Sequence, residues 1–218
     1  FLINHVDSEK CEYDNIVEQI RSTFGKSSVP IQFPEQSGPG FKVIIDVLLN
    51  QKLTFTDGSP VKAEDIPDSV ADRAQKMRET VTESAAENDE VLMEKFFDQG
   101  ELTIDEIRAG FRKGIETCSL FPIVCASASN NIGVSRLLEF LGNVAPPPAH
   151  GAEVKDSKGN VVKLDASGTS LFFFKTSIEP HIGAVSYFKV MCGKAHEGQD
   201  MLNADRGSKE RVAQIFVP

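Results

Sequence analysis

Apolar residues recur at steps of four, three, four and four through Val70, Ala74, Met77, Val81 and Ala85. That spacing sets them on one face of a helix and leaves the Glu and Lys between them to water. A second helix is predicted to open at Thr103, where Thr-Ile-Asp-Glu106 has the capping-box form, and Ile104, Ile107 and Phe111 supply its apolar stripe. Leu120-Phe-Pro-Ile-Val-Cys-Ala126 is a short apolar run of buried-strand type, followed by the polar loop Ser127-Ala-Ser-Asn-Asn-Ile-Gly133. Val134, Leu137, Leu138, Leu141 and Val144 then repeat at helical spacing. Strand, loop and helix in that order are half of a parallel α/β unit. These stripes are read as core packing rather than as the lining of a cofactor site. Pro146, Pro147 and Pro148 end the unit and mark a linker.

From Thr169 the period changes to two. Leu171–Thr176, Ala184–Cys192 and Glu210–Val217 are predicted strands, with Asp200–Asn203 a shorter fourth; turn residues fall at Glu179-Pro180, Gly193, Gly198 and Asp205-Arg-Gly207. This is the pattern of an antiparallel barrel or sandwich. A weak hairpin at Ser157-Lys-Gly-Asn160 is expected to bridge the two modules. The chain opens on the apolar strand Phe1-Leu-Ile3 and closes on Ile215-Phe-Val-Pro218. Natural ends are usually polar, so a piece of a longer protein is expected.

Composition sharpens this picture in two ways. The chain has 218 residues, 40% hydrophobic and 25% charged, with formal net charge −9 and pI near 5.0. This is enough core-forming content for one large or two small domains, and whole-chain disorder is excluded. A general grip on DNA through phosphate neutralisation is disfavoured, because that needs a basic face. The imbalance is concentrated: Asp57–Glu116 holds sixteen Asp or Glu against eight Lys or Arg, whereas Gly168–Pro218 is nearly neutral. No long apolar run or signal-peptide order is present, so neither a membrane span nor secretion is expected. Cys11, Cys118, Cys125 and Cys192 form no C-x-x-C pair and are read as reduced thiols of a cytoplasmic protein. His150, His181 and His196 are isolated from one another and from Cys at metal spacings, and no G-x-S-x-G elbow occurs.

The opening strand runs into Asn4-His5-Val6-Asp7. In an α/β sheet, ligands sit at the carboxyl ends of strands, where an aspartate accepting two N–H groups from one edge selects guanine over adenine. The same residues also form an ordinary Asn/Asp turn, and that reading stays open. The exit loop of the second strand, Cys125-Ala-Ser127-Ala128-Ser129, adds a second candidate segment. Together they resemble the N-K-x-D and S-A guanine-specificity motifs of GTP-binding proteins. Glu83-Ser-Ala-Ala-Glu87, Leu92-Met-Glu-Lys-Phe96, Gly100-Glu-Leu-Thr103, Pro180-His-Ile-Gly183 and Tyr187-Phe-Lys-Val-Met-Cys-Gly193 are similar to stretches of elongation factor G, the ribosomal translocase.

That resemblance runs essentially end to end and implies an incomplete P-loop GTPase-type α/β domain over residues 1–28 and 116–145. It implies an acidic helical insertion over 29–115, a linker over 146–167, and the first part of an antiparallel β-barrel second domain over 168–218. Asn4 and Asp7 are then expected at the guanine edge, the Ala128 N–H at its carbonyl oxygen, and Ser127 holding the loop. His5 stands where the family has lysine, beside the base. GTP or GDP with Mg²⁺ is the implied ligand of the longer protein. The implied partner is the ribosome: its large-subunit stalk protein through the insertion, and small-subunit rRNA through the second domain.

The chain has no G-x-x-x-x-G-K-[S/T] phosphate loop. Gly25-Lys-Ser27 does not supply one, since the required earlier glycine falls at Ile20; Asp156-Ser-Lys-Gly159 imitates a D-x-x-G switch but lies beyond the proline linker. Phosphoryl transfer therefore lacks machinery within these residues. The chain alone is expected neither to hydrolyse GTP nor to bind it tightly, while the longer protein is expected to act in GTP-dependent translocation. Two alternatives remain at this level: a ribosome-docking relative without useful hydrolysis, and an acidic protein-interaction scaffold.

Overall fold

The computed structural model describes residues 1–56, 59–147, 155, 159, 161 and 168–216. It falls into two units, Phe1–Gly151 and Ala152–Pro218. The class is mixed helix and sheet, built from several small sheets. No described helix is long and apolar enough to cross a membrane.

In the first unit β1 (Leu2–Ile3), β7 (Phe121–Cys125) and β2 (Ser28–Pro30) form a parallel sheet with β7 in the middle. The helix α1 (Tyr13–Phe24) carries the chain from β1 to β2. Beyond β2 the chain stays extended, Ile31 donating its N–H to the Ile123 carbonyl at 3.0 Å, and enters an antiparallel sheet. That sheet has the order β3 (Gln32–Pro34), β4 (Val43–Asp46), β5 (Gln51–Thr56) and β6 (Ser59–Glu64). The expectation of a helical insertion over 29–115 is thus corrected for its first part, which is sheet. Asp46 interrupts the run Val43–Leu49 and hides its apolar continuity, yet Ile44, Ile45, Val47 and Leu48 are all buried.

The helices of the insertion are α2 (Asp68–Ala86), α3 (Glu90–Gln99) and α4 (Ile104–Glu116). On α2, Ala74, Val81 and Ala85 are buried, with Val70 and Met77 packed at the margin. The Thr103 capping box forms as its sequence predicts, the hydroxyl accepting from the Glu106 N–H and the Glu106 carboxylate accepting from the Thr103 N–H. Gly110 lets α4 press against α2, since a Cβ there would sit 2.3 Å from the Ala85 carbonyl oxygen. One core joins these layers, with Ile3, Val29, Phe33, Ile45, Phe111 and Ile123 among its members.

The last helix of the unit, α5 (Val134–Val144), departs from its predicted stripe. Its buried residues are Arg136, Phe140 and Val144, and Leu137 packs at the edge of the core. Leu138 and Leu141 are exposed. The sequence carries apolar residues on two faces of this helix, and the face with fewer leucines is the one turned inward.

In the second unit β8 (Ser170–Glu179) pairs with β9 (Gly183–Cys192), and β10 (Asp200–Asn203) with β11 (Ser208–Arg211), both antiparallel. They are two separate two-stranded sheets, and among the described residues no closed barrel is present. The predicted strand Glu210–Val217 is replaced by β11, which ends at Arg211. The linker beyond Pro147, His150 and most of Ser157–Asn160 and Asp156–Gly159 lie outside the described residues.

Candidate functional site

Parallel pairing aligns Leu2 with Val124 and Ile3 with Cys125, so β1 and β7 end at the same rim of the sheet. Their exit loops, residues 4–8 and 126–133, are therefore side by side. Ala126 donates its N–H to the Ile3 carbonyl at 2.9 Å, and Val6 returns one to the Ala126 carbonyl at 3.3 Å. Side chains then close the gap: the Ala128 N–H donates to Asn4 Oδ1 at 2.9 Å, and Asn130 Nδ2 donates to Asp7 Oδ2 at 2.9 Å. Residues more than 120 positions apart in sequence meet at one place.

Each candidate residue has a distinct setting. The other oxygen of Asp7, Oδ1, is shielded from water and accepts no hydrogen bond among the described residues. A carboxylate oxygen in that state is an acceptor with unused capacity. Asn4 and Ala128 are exposed at the rim. His5 is exposed too and holds φ at +58°, in the left-handed region that non-glycine residues seldom occupy. The turn that holds it is closed by the Ser8 N–H donating to the His5 carbonyl at 3.0 Å.

Ser127 is fully buried and exchanges both backbone hydrogen bonds with Ile132, each at 2.9 Å. Its hydroxyl lies 3.3 Å from that of Ser129. This pairing cinches the loop at its base. Where the resemblance assigns the Ala128 N–H to a base carbonyl, Asn4 accepts it here. A backbone donor at a loop tip takes a good acceptor within reach, and a base would have to compete with that amide.

Several contributors escape a reading of the sequence alone. Asn130 sits in the quoted loop but matches no motif. Gly38, from the turn between β3 and β4, donates its N–H to the Val6 carbonyl at 2.8 Å. Beneath the rim, Arg136 Nε donates to Asp46 Oδ2 at 2.7 Å, which also accepts from Gln32 Nε2 at 2.7 Å. The available signal was Asp46 itself: a charge within an apolar run needs a partner if the run is buried. Burial also pushes the Cys125 thiol up, with Asp46 adding to the effect, so this cysteine stays protonated.

Chemically, the rim gathers a carboxylate, two carboxamides, a backbone N–H and an imidazole, with the Ala128 N–H and one Asp7 oxygen already engaged within the rim. Donors and acceptors of this kind can hydrogen-bond to the edge of a flat heterocycle. Among the described residues no three His, Cys, Asp or Glu side chains are grouped to hold a metal ion.

No family model matches the chain. Its fold is similar over 100% of its length to the crystal structure of a protein from Thermus thermophilus, with a TM-score of 0.73 and 26% sequence identity. The chain spans 30% of the length of that protein.

Proposed function

We propose that the rim formed by Asn4, Asp7 and Ala128 is a guanine-recognition site, and that the chain is a section of an elongation factor G-like translational GTPase. The observation that carries this reading is the meeting of the two loops, which brings Asn4, Asp7 and the Ala128 N–H to one rim. The guanine edge presents two adjacent N–H donors, and adenine does not. Asp7 answers that edge by exchanging Asn130 for the base, the Ala128 N–H meets the base carbonyl by exchanging Asn4, and Ser127 braces the loop.

Residues 1–28 and 116–145 are read as the later part of the GTPase domain, 29–115 as its insertion, and 168–218 as the start of a barrel completed by further strands. The exposed Leu138 and Leu141 of α5 and the edge position of β1 support membership in a larger sheet domain. Phosphate binding and Mg²⁺ belong to that remainder, because no phosphate loop occurs in these 218 residues. The function is GTP-dependent ribosomal translocation, with the acidic insertion meeting the stalk protein of the large subunit and the second unit meeting small-subunit rRNA.

Calorimetry on the protein extended upstream of Phe1 tests this. GDP is expected to bind, ADP not to, and Asp7→Asn to abolish the preference. Unchanged GDP affinity in that variant eliminates guanine recognition here. These residues by themselves are expected to bind GDP very weakly, since base contacts lack the charge-assisted phosphate bonds that supply most affinity.

His5 favours a second reading. An imidazole is shorter than the lysine stem it replaces and is usually neutral, which weakens grip on a nucleotide and suits a ribosome-docking relative without useful hydrolysis. Brisk ribosome-stimulated turnover by the extended protein excludes it.

A further inference from the structure

We infer that the antiparallel sheet β3–β6 sets the geometry of the rim, with Arg136 and Asp46 as its positioning residues; the nucleotide reading enters only in naming what the rim binds. Loop 126–133 packs on this sheet, and loop 4–8 is fastened to the turn that joins β3 to β4. Loop 4–8 is held where the Val6 carbonyl accepts the Gly38 N–H at 2.8 Å. Loop 126–133 ends at Gly133, at φ +78°, where a Cβ would lie 2.7 Å from Ile44 Cδ1 of β4 and 2.9 Å from the Cys125 carbonyl oxygen. Three residues later, in the first turn of α5, Arg136 reaches Asp46 at the end of β4.

The pair is built for fixed distance. Arg136 and Asp46 are 3% and 0% exposed, and the carboxylate is fully engaged, taking Arg136 Nε and Gln32 Nε2 on one oxygen and the Leu49 N–H at 2.8 Å on the other. An apolar contact tolerates sliding by a few tenths of an ångström. A buried charge pair does not, because separation leaves two uncompensated charges in a low-dielectric interior. Local preference does not account for the arginine: a cation in the first turn of a helix opposes the helix dipole. Nor does tight satisfaction, since Arg136 Nη2 is buried without a partner. What the pair does provide is a rigid strut between β4 and the start of α5, the segment into which loop 126–133 feeds.

The test is amide hydrogen exchange on the 218-residue chain, without nucleotide. Replacing both charges together, Asp46→Asn with Arg136→Met, removes the strut and both buried charges while keeping an amide oxygen at position 46 for the donors of Leu49 and Gln32. Exchange at Ser127, Ala128 and Ile132 is expected to rise about tenfold while Val81 and Ala85 of α2 stay unchanged, a local loosening that a purely structural role would not produce. Arg136→Lys, which keeps one donor for Asp46, is expected to fall between the wild type and the double variant. A folded double variant with loop exchange within about twofold of wild type, or rising in step with α2, overturns the inference. Failure of both variants to fold overturns it as well, by making the pair a determinant of the whole unit. Because no ligand is present, the outcome is independent of the nucleotide reading, whose own failure is unchanged GDP affinity in Asp7→Asn of the extended protein.

Discussion

Among the described residues, aromatic side chains are buried only in the first unit. In the first, Phe33, Phe41, Phe55 and Phe111 are buried; in the second, Phe172, Phe173 and Phe174 are each more than half exposed, and no described residue there is fully buried. The chemistry of the side chains is the same, so the difference lies in architecture. Two sheets and five helices close around a common core in the first unit. A two-stranded hairpin has two open faces and nothing to press them against, which is why isolated hairpins are marginal in water. Alternation along β8 and β9 is a demand for burial, and it is met only when further layers are present.

The sharpest way to break this comparison is to truncate one aromatic in each unit. Phe111→Ala is expected to destabilise the first unit by about 3–5 kcal/mol, through lost transfer energy and the cavity left behind. Phe173→Ala should change the same transition by less than about 0.5 kcal/mol, as exposed substitutions do. The chain has no tryptophan and two tyrosines, Tyr13 in the first unit and Tyr187 in the second. Urea unfolding followed by tyrosine fluorescence in a Tyr187→Phe background therefore reports the first unit alone. A shift of the Tyr13 transition by Phe173→Ala as large as that by Phe111→Ala would break the comparison, because the second unit would then share in the cooperative unfolding of the first.

Breaking the buried ion pair from one side comes next. Asp46→Ala leaves the buried Arg136 guanidinium with only the half-exposed Glu139, 3.7 Å away, as counter-charge, and is expected to lower stability by about 3 kcal/mol in the same assay. Exposed pairs give the contrast within the unit: Arg73→Ala removes its bridge to Asp14 and a cation–π contact 4.2 Å above Phe33, for about 1 kcal/mol.

Local signals account for what was readable beforehand. The α2 stripe, the Thr103 cap and the β7 run each depend on neighbours within a few residues, and each appears in the fold as the sequence predicts. The meeting of the Asn4–Asp7 and Ser127–Ala128 loops was legible only because both follow strands, and parallel pairing brings the two strand ends together. What escaped notice depends on partners distant in sequence. The sheet β3–β6 was hidden because its apolar run contains Asp46, whose charge makes sense only with Arg136, ninety positions away. Leu137 and Val144 of the predicted α5 stripe face the core while Leu138 and Leu141 do not, because the inward face also carries Arg136, which apolar spacing does not mark.

Smaller effects sharpen the comparison at the helix ends of the first unit. Thr103→Ala removes the side-chain half of the α4 capping box and should cost about 1 kcal/mol, read as a shift of the urea midpoint. Thr176→Ala on the exposed face of β8 should leave that midpoint in place, although its hydroxyl lies 3.0 Å from that of Ser186.

Acidity gives the finest test, because the caps of α3 and α4 both end in carboxylates. The hydrogen bond from Lys95, then those from Thr103, draw the Glu106 carboxyl down from 4.5 to about 2. Asp89, the N-cap of α3, is lowered as well, first by the hydrogen bond from Lys113. A carboxyl with a depressed folded pKa binds its proton more weakly folded than unfolded, so its contribution is complete above the unfolded value and falls away as pH drops toward the folded one. For Glu106 that window runs from about 4.5 down to about 2. Helical ellipticity should therefore decline across it, modestly, since both carboxylates are near solvent. Lys95→Met removes the leading cause and should move the decline toward higher pH. An acid profile identical to wild type in that variant would show that Lys95 contributes nothing to holding α4 against α3.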